Sequence, residues 1–82
     1  MEDKRITIIN IIVEDESSIP KVNDLLHNYN DYVLGRIGIP YKIKNMFIIC
    51  VILDCHGDIA SALSGKLGMI PNITSKTLTA KK

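Results

Sequence analysis

Two long runs of β-branched and aliphatic residues, the first with hardly a break and the second unbroken, constrain the fold of this chain more than any other feature. The first run lies in Arg5–Val13 and the second in Asn45–Asp54, where every position from Phe47 to Leu53 is apolar. Runs of this length and composition are typical of strands buried on both faces. The chain has 82 residues, 46% of them apolar, which suits one hydrophobic core. We therefore expect a single domain spanning residues 1–82.

Two amphipathic helices are predicted, one after each apolar run. Apolar residues recur at spacings of three and four within Ile19–Tyr29, with Ser17 and Ser18 as candidate N-caps. Similar spacing recurs within Ile59–Leu67, where Asp58 is the candidate cap. Each helix is followed by a turn and then by a further segment with strand character.

The two remaining strand segments differ in kind from the apolar runs. Tyr32–Tyr41 is interrupted by Gly35, Gly38 and Pro40, and Ile73–Ala80 is polar and carries a lysine. Proline cannot donate to a neighbouring strand, and polar strands with lysine are typical of sheet edges. The order βαββαβ, with apolar first and third strands, is that of the ferredoxin-like sandwich. We predict an α+β fold with a four-stranded antiparallel sheet and two helices on one face.

The two central strands are apolar on both faces, although the helices cover only one face in this topology. The two sets are Ile6, Ile8, Ile12 against Ile9, Ile11, Val13 in the first strand, and Ile48, Cys50, Ile52 against Phe47, Ile49, Val51, Leu53 in the third. A monomer leaves one set in water, whereas burying each large aliphatic side chain contributes about 1.5–3 kcal/mol. We therefore expect a second copy to cover the open face, as a homodimer or tetramer.

Charge and composition argue against several classes of function. The net charge is +1 at pH 7, so we expect no strong direct binding to DNA. The apolar runs are far shorter than the roughly 20 residues that cross a bilayer, so we expect no membrane partner and a cytoplasmic location. Cys50 and Cys55 lie about 17 Å apart if they share one strand, too far for a disulfide. We expect both to be thiols, with Cys50 in the core.

Few residues have the potential for chemistry. Cys55 and His56 are adjacent soft ligands. Zinc takes about four ligands, so a zinc site here would need ligands from another subunit. Whether such a site forms between subunits is left open. We predict no metal, no cofactor and no catalytic group, and hence no enzyme activity. Arg36 lies among glycines, where another backbone can approach closely. It either clamps a carboxylate or phosphate or, the reading we favour, forms an ion pair with the Glu14–Glu16 loop of another subunit.

Three short motifs stand out: Arg36–Tyr41 (RIGIPY) after the first predicted helix, Gly65–Gly68 (GKLG) closing the second, and Ile70–Ile73 (IPNI) leading to the last strand. At these positions in a βαββαβ chain they resemble a family of small proteins described as regulators of the iron-only hydrogenase system. The resemblance extends over nearly the whole chain. It implies an ACT-like form of the ferredoxin-like fold, similar to the C-terminal domain of the nickel-responsive repressor, and an oligomer.

Two properties of the nickel-responsive repressor are not expected here. Its DNA-binding ribbon-helix-helix segment precedes the regulatory domain, whereas the first strand here begins at Arg5. Its nickel site uses histidines of the second strand, and Tyr32–Tyr41 has none. ACT domains that bind amino acids commonly use a glycine-containing loop after the first strand. The loop Glu14–Ser18 has no glycine, so the resemblance does not imply an amino-acid site here.

The resulting hypothesis is a regulatory or ligand-sensing domain that acts as a homo-oligomer and responds to a small-molecule effector or a protein partner. A link to transcription of an iron-only hydrogenase is what the resemblance implies. Arg36, Gly38 and Tyr41 are the candidate residues for a ligand or interface site. The alternative is a structural module that binds a partner by strand addition at the edge Tyr32–Tyr41 or Ile73–Ala80.

Overall fold

The computed structural model describes residues 3–82 and confirms the predicted α+β architecture. The helices and strands are β1 (Arg5–Val13), α1 (Ile19–Asn28), β2 (Val33–Tyr41), β3 (Met46–Cys55), α2 (Gly57–Leu67) and β4 (Ile73–Thr79). The four strands form one antiparallel sheet in the order β2-β3-β1-β4. The two apolar strands are therefore central, and the strand with Pro40 and the polar strand are the edges, as predicted. Within residues 3–82, no helix is long and apolar enough to cross a membrane.

The core lies between the two helices and one face of the sheet. The fully buried side chains there are Ile9, Ile11 and Val13 of β1, Ile49, Val51 and Leu53 of β3, Val22 of α1, and Leu63 and Leu67 of α2. Alternation along a strand sends neighbouring residues to opposite faces. The burial pattern thus decides which predicted set is inward: Ile9 and Ile11 pack under the helices, and the set that contains Ile6 and Ile12 faces outward.

The helix starts differ from the prediction. Neither Ser17 nor Ser18 caps α1 with its side chain. The Asp15 carboxylate instead accepts from the Ser17 backbone N–H at 3.0 Å and begins a short 3-10 turn before the helix. The buried Ser18 hydroxyl donates to the Pro71 carbonyl at 2.7 Å and so ties the loop after β1 to the loop before β4. Helix α2 begins one residue before Asp58, so this side chain lies in the first turn and is not the cap.

Candidate functional site

The sheet face opposite the helices is a continuous, mostly apolar surface, which we call the open face. It comprises Ile6, Ile8, Asn10 and Ile12 of β1, Ile48, Cys50, Ile52 and Asp54 of β3, Gly35, Ile37, Ile39 and Tyr41 of β2, and Thr74, Lys76 and Leu78 of β4. Its large apolar side chains include several that are strongly exposed, from 39% for Ile6 to 63% for Leu78. Exposed aliphatic side chains grouped in this way are typical of an interaction surface.

The register places the open-face residues in rows across the sheet. Ile39, Ile48 and Ile12 stand side by side on three neighbouring strands. In the next row, Cys50 pairs with Ile37 on one side. Cys50 was predicted to be a core residue, but it is only half-buried and belongs to this face. The sequence position was ambiguous because both faces of β3 carry apolar residues.

Arg36 lies on the helix side of β2. Its register partner is the buried Val51, and its guanidinium Nη2 donates to the Asn23 Oδ1 of α1 at 2.8 Å. This bond joins the edge strand to the first helix within one chain. An ion pair with the acidic loop of another subunit stays a prediction.

Gly38 lines a cleft of about 290 Å³ between the β2–β3 hairpin and the start of α1. A Cβ atom added at Gly38 would lie 3.0 Å from Cζ of Phe47, so the ring packs against the backbone because no side chain is present there. The other walls combine the apolar Pro40 with the charged Glu16 and Lys42. The cleft thus offers an apolar floor and two opposite charges, and its volume suits a small ligand.

The hairpin that forms one wall of this cleft has a defined turn. A short 3-10 turn at Lys42–Lys44 ends at Asn45, which adopts the left-handed conformation with φ of 54°. Asparagine tolerates that conformation better than most residues. Tyr41, immediately before the turn, has its side chain on the open face and is not part of the cleft lining. The predicted trio is therefore divided, with Arg36 and Gly38 on the helix side and Tyr41 on the other.

A second groove, of about 510 Å³, runs between α2 and β4. Small or hydroxyl-bearing residues line it, among them Ala60, Ser64 and Thr77, and no charged side chain does. It offers less for recognition than the cleft at Gly38, where opposite charges and an aromatic ring converge.

The Cys55–His56 pair does not assemble a metal site within one chain. Cys55 is 1% exposed, and its burial raises the pKa of its thiol above the ordinary value, which keeps it protonated. His56 precedes α2, and its Nδ1 atom is buried without a hydrogen-bond partner. Among residues 3–82 there is no cluster of three or more His, Cys, Asp or Glu side chains that could hold a metal ion.

Sequence reasoning missed Glu16, Lys42 and Phe47 as lining of the cleft and Asn10 as part of the open face. Lys42 and Glu16 come from loops 26 positions apart, which only the fold brings together. Asn10 did carry a signal, because it interrupts the apolar run of the first strand with an amide.

Comparison with known families gives one match over most of the chain. Residues 5–77 match the model of the TM1266-like family, which is described as a putative iron-only hydrogenase system regulator. No protein among those with curated descriptions matches.

Solved structures provide three informative neighbours. The uncharacterized protein TM1266 from Thermotoga maritima is 44% identical, superposes with a TM-score of 0.91, and is aligned over 96% of this chain and 100% of its own. A formyltetrahydrofolate deformylase from Pseudomonas putida is 12% identical over 94% of this chain and 29% of its own, with a TM-score of 0.67. An unknown protein from Galdieria sulphuraria is 16% identical over 98% of this chain and 47% of its own, with a TM-score of 0.64. The last two share the fold alone.

Proposed function

This chain belongs to the TM1266-like family of iron-only hydrogenase system regulators, and from that premise we propose that it is a non-catalytic sensing domain that acts as a homo-oligomer. The oligomer forms through the open face, and a small effector binds in the cleft at Gly38. The domain regulates the expression of an iron-only hydrogenase. It acts through a partner protein, because the chain itself binds DNA weakly.

The observation that carries this proposal is the exposed apolar character of the open face. Four strands about 4.8 Å apart and about eight residues long present a face of about 500 Å² per copy. Two such faces together remove about 1,000 Å² from water, which reaches the area that a specific interface needs. Ile37, Ile39 and Leu78 are each more than half exposed, so their burial has to come from another surface.

A second copy fits this surface by charge as well as by area. Among the described residues, the open face carries one carboxylate, Asp54 near the end of β3, and one ammonium, Lys76 at the middle of β4. The two charges have opposite signs, so a second copy brings no excess of one charge to the interface. A second copy therefore meets no net repulsion at this surface, which it would on a face with charges of one sign.

The cleft and the open face share the same two strands, which provides a route for regulation. Gly38 and Phe47 line the cleft, while Ile37 and Ile48, their chain neighbours, point to the opposite side of the sheet. Suppose that the hairpin has one arrangement in the oligomer and another in the monomer. A ligand that binds one arrangement more tightly shifts the equilibrium between monomer and oligomer by the difference between its two binding free energies. An anionic group of the ligand would lie near Lys42 and a cationic group near Glu16.

The test is complementation of a strain that lacks this gene, with the hydrogenase transcript as the readout. Wild-type protein is expected to restore regulation, and Ile37→Lys, which places an ammonium on the open face, is expected to fail. Ile43→Lys is the matched control, because Ile43 is 85% exposed at the hairpin tip and lies outside the open face. Full regulation by Ile37→Lys would contradict a role for assembly in the function.

A second pair of variants tests the cleft. Gly38→Ala brings a methyl group to within 3.0 Å of the Phe47 ring and should distort the cleft, whereas Gly35→Ala on the same strand meets nothing within 4 Å. Native mass spectrometry of protein purified from its source cell should show a retained small molecule on the wild type and on Gly35→Ala. Loss of that molecule from Gly38→Ala alone supports the cleft; equal retention by all three forms contradicts it.

A further inference from the structure

Asn10 is the polar side chain that breaks the row of isoleucines on the open face of the central strand β1. Within the described residues, the other open-face positions of β1 are isoleucines, and Cys50 of β3 lies directly beside Asn10 in register. Lys76 of β4 lies on its other side. The Asn10 side chain is exposed, and its amide makes no hydrogen bond with another residue of the range 3–82.

Covering the open face changes the environment of this amide. An amide that is buried in the interface without a hydrogen-bond partner loses its hydrogen bonds to water and gains none from protein groups. This loss lowers the stability of the dimer. Its neighbours along the strand, Ile8 and Ile12, offer no polar side-chain atom. The Lys76 ammonium can donate to the carboxamide oxygen but cannot accept from the carboxamide NH2. A partner therefore has to carry an acceptor for the carboxamide NH2, and one that also carries a donor satisfies Asn10 without Lys76.

A second Asn10 meets this requirement. A carboxamide has one acceptor oxygen and one donor NH2, so two carboxamides that face each other form reciprocal hydrogen bonds. A two-fold axis brings a residue opposite its own copy when the axis passes close beside that residue, between the two copies. In coiled coils, a single buried asparagine fixes register and stoichiometry, because misaligned pairings leave its amide unsatisfied.

We propose that the two-fold axis of the homodimer passes between the two copies of Asn10, so that Asn10 pairs with Asn10 of the second copy and sets the register of the two sheets. This inference rests on the proposed function, since it assumes that a second copy covers the open face. The isoleucines of the open face contribute affinity but allow several registers of the two sheets. Asn10 would determine which of these registers forms.

A charge-swap experiment tests the pairing directly. Asn10→Asp and Asn10→Lys are made in a Lys76→Gln background, so that the neighbouring ammonium neither neutralises nor repels the new charge. If residue 10 faces its own copy, each variant alone places like charges at the axis, and its dimer dissociation constant should rise at least about 100-fold. An equimolar mixture should form a heterodimer, with an affinity within about tenfold of the Lys76→Gln parent. Native mass spectrometry separates the two homodimers from the heterodimer, and sedimentation equilibrium gives the affinities.

Two further variants separate register from folding and from general charge effects. Asn10→Leu removes the amide and should assemble at least as tightly as wild type but into more than one stoichiometry. Asn30→Asp makes the same charge change at an exposed position outside the open face and should leave assembly unchanged. A circular dichroism melt of each variant confirms that it is folded.

The outcomes distinguish this inference from the proposal on which it rests. A parent that dimerises, with a mixture that assembles no better than either variant alone, would overturn the pairing at Asn10 and leave the open-face dimer in place. A wild-type protein that stays monomeric would overturn both. A heterodimer that forms only from the mixture supports the axis at Asn10.

Discussion

The substitution Ile37→Ala on the edge strand β2 measures how much the open face contributes to assembly. Ile37 is 56% exposed in the single chain. Burying a whole isoleucine side chain contributes about 1.5–3 kcal/mol, so covering this exposed part contributes about 1–1.5 kcal/mol per copy. A symmetric dimer contains the residue twice, which gives about 2–3 kcal/mol. The dimer of Ile37→Ala should therefore dissociate with a constant about 30- to 150-fold higher than that of wild type.

The assay is sedimentation equilibrium across a dilution series, with Ile43→Ala as the control. Ile43 is even more exposed, at 85%, but it lies in the turn between β2 and β3 and outside the open face. The same truncation there should leave the dissociation constant unchanged. Ile37→Lys should have a larger effect than Ile37→Ala, because an ammonium would also lose its hydration. Equal affinities for wild type and Ile37→Ala, or an equal effect of Ile43→Ala, would refute the assignment of the interface.

Three further predictions follow from burial and charge. Leu63→Ala truncates a fully buried side chain of α2 and should lower the free energy of unfolding by about 2–5 kcal/mol in urea titrations; a change below about 1 kcal/mol would contradict the assigned core. Cys55 should react with a thiol reagent only on unfolding, because it is buried and its pKa is raised. Labelling of Cys50 should become slower as the protein concentration rises, because assembly covers the open face. Equal labelling rates for both thiols would contradict these assignments. Fluorescence anisotropy with duplex DNA should show weak binding without sequence preference; nanomolar selective binding at physiological salt would show that the oligomer builds a basic surface.

The order and placement of the strands follow from the sequence because each strand carries its own signal. The apolar run of β1 and that of β3 predict central strands, and Pro40 in β2 predicts an edge. What the sequence left open was which face the helices cover, because isoleucine occurs on both sides of β1. The structure decides this through Ile9 and Ile11, which are fully buried.

The candidate site was harder to predict because its parts are distant along the chain. The Ser18 hydroxyl looked like a helix cap, but its hydrogen bond goes to Pro71, 53 positions away. The Arg36 guanidinium donates to the side chain of Asn23 in α1, 13 positions away. The cleft at Gly38 is formed by a loop, a helix start and a hairpin, so only the folded chain reveals it. Local patterns predict local structure, whereas side-chain partners across the fold depend on tertiary geometry.

Sedimentation velocity of the wild-type protein at micromolar concentration tests the central claim most directly. A face that exposes Ile37, Ile39 and Leu78 by more than half should not remain in water when a second copy is present. The account predicts a dimer or a tetramer whose proportion falls on dilution. A single species with the mass of one 9.1 kDa chain, unchanged over the whole concentration range, would contradict it.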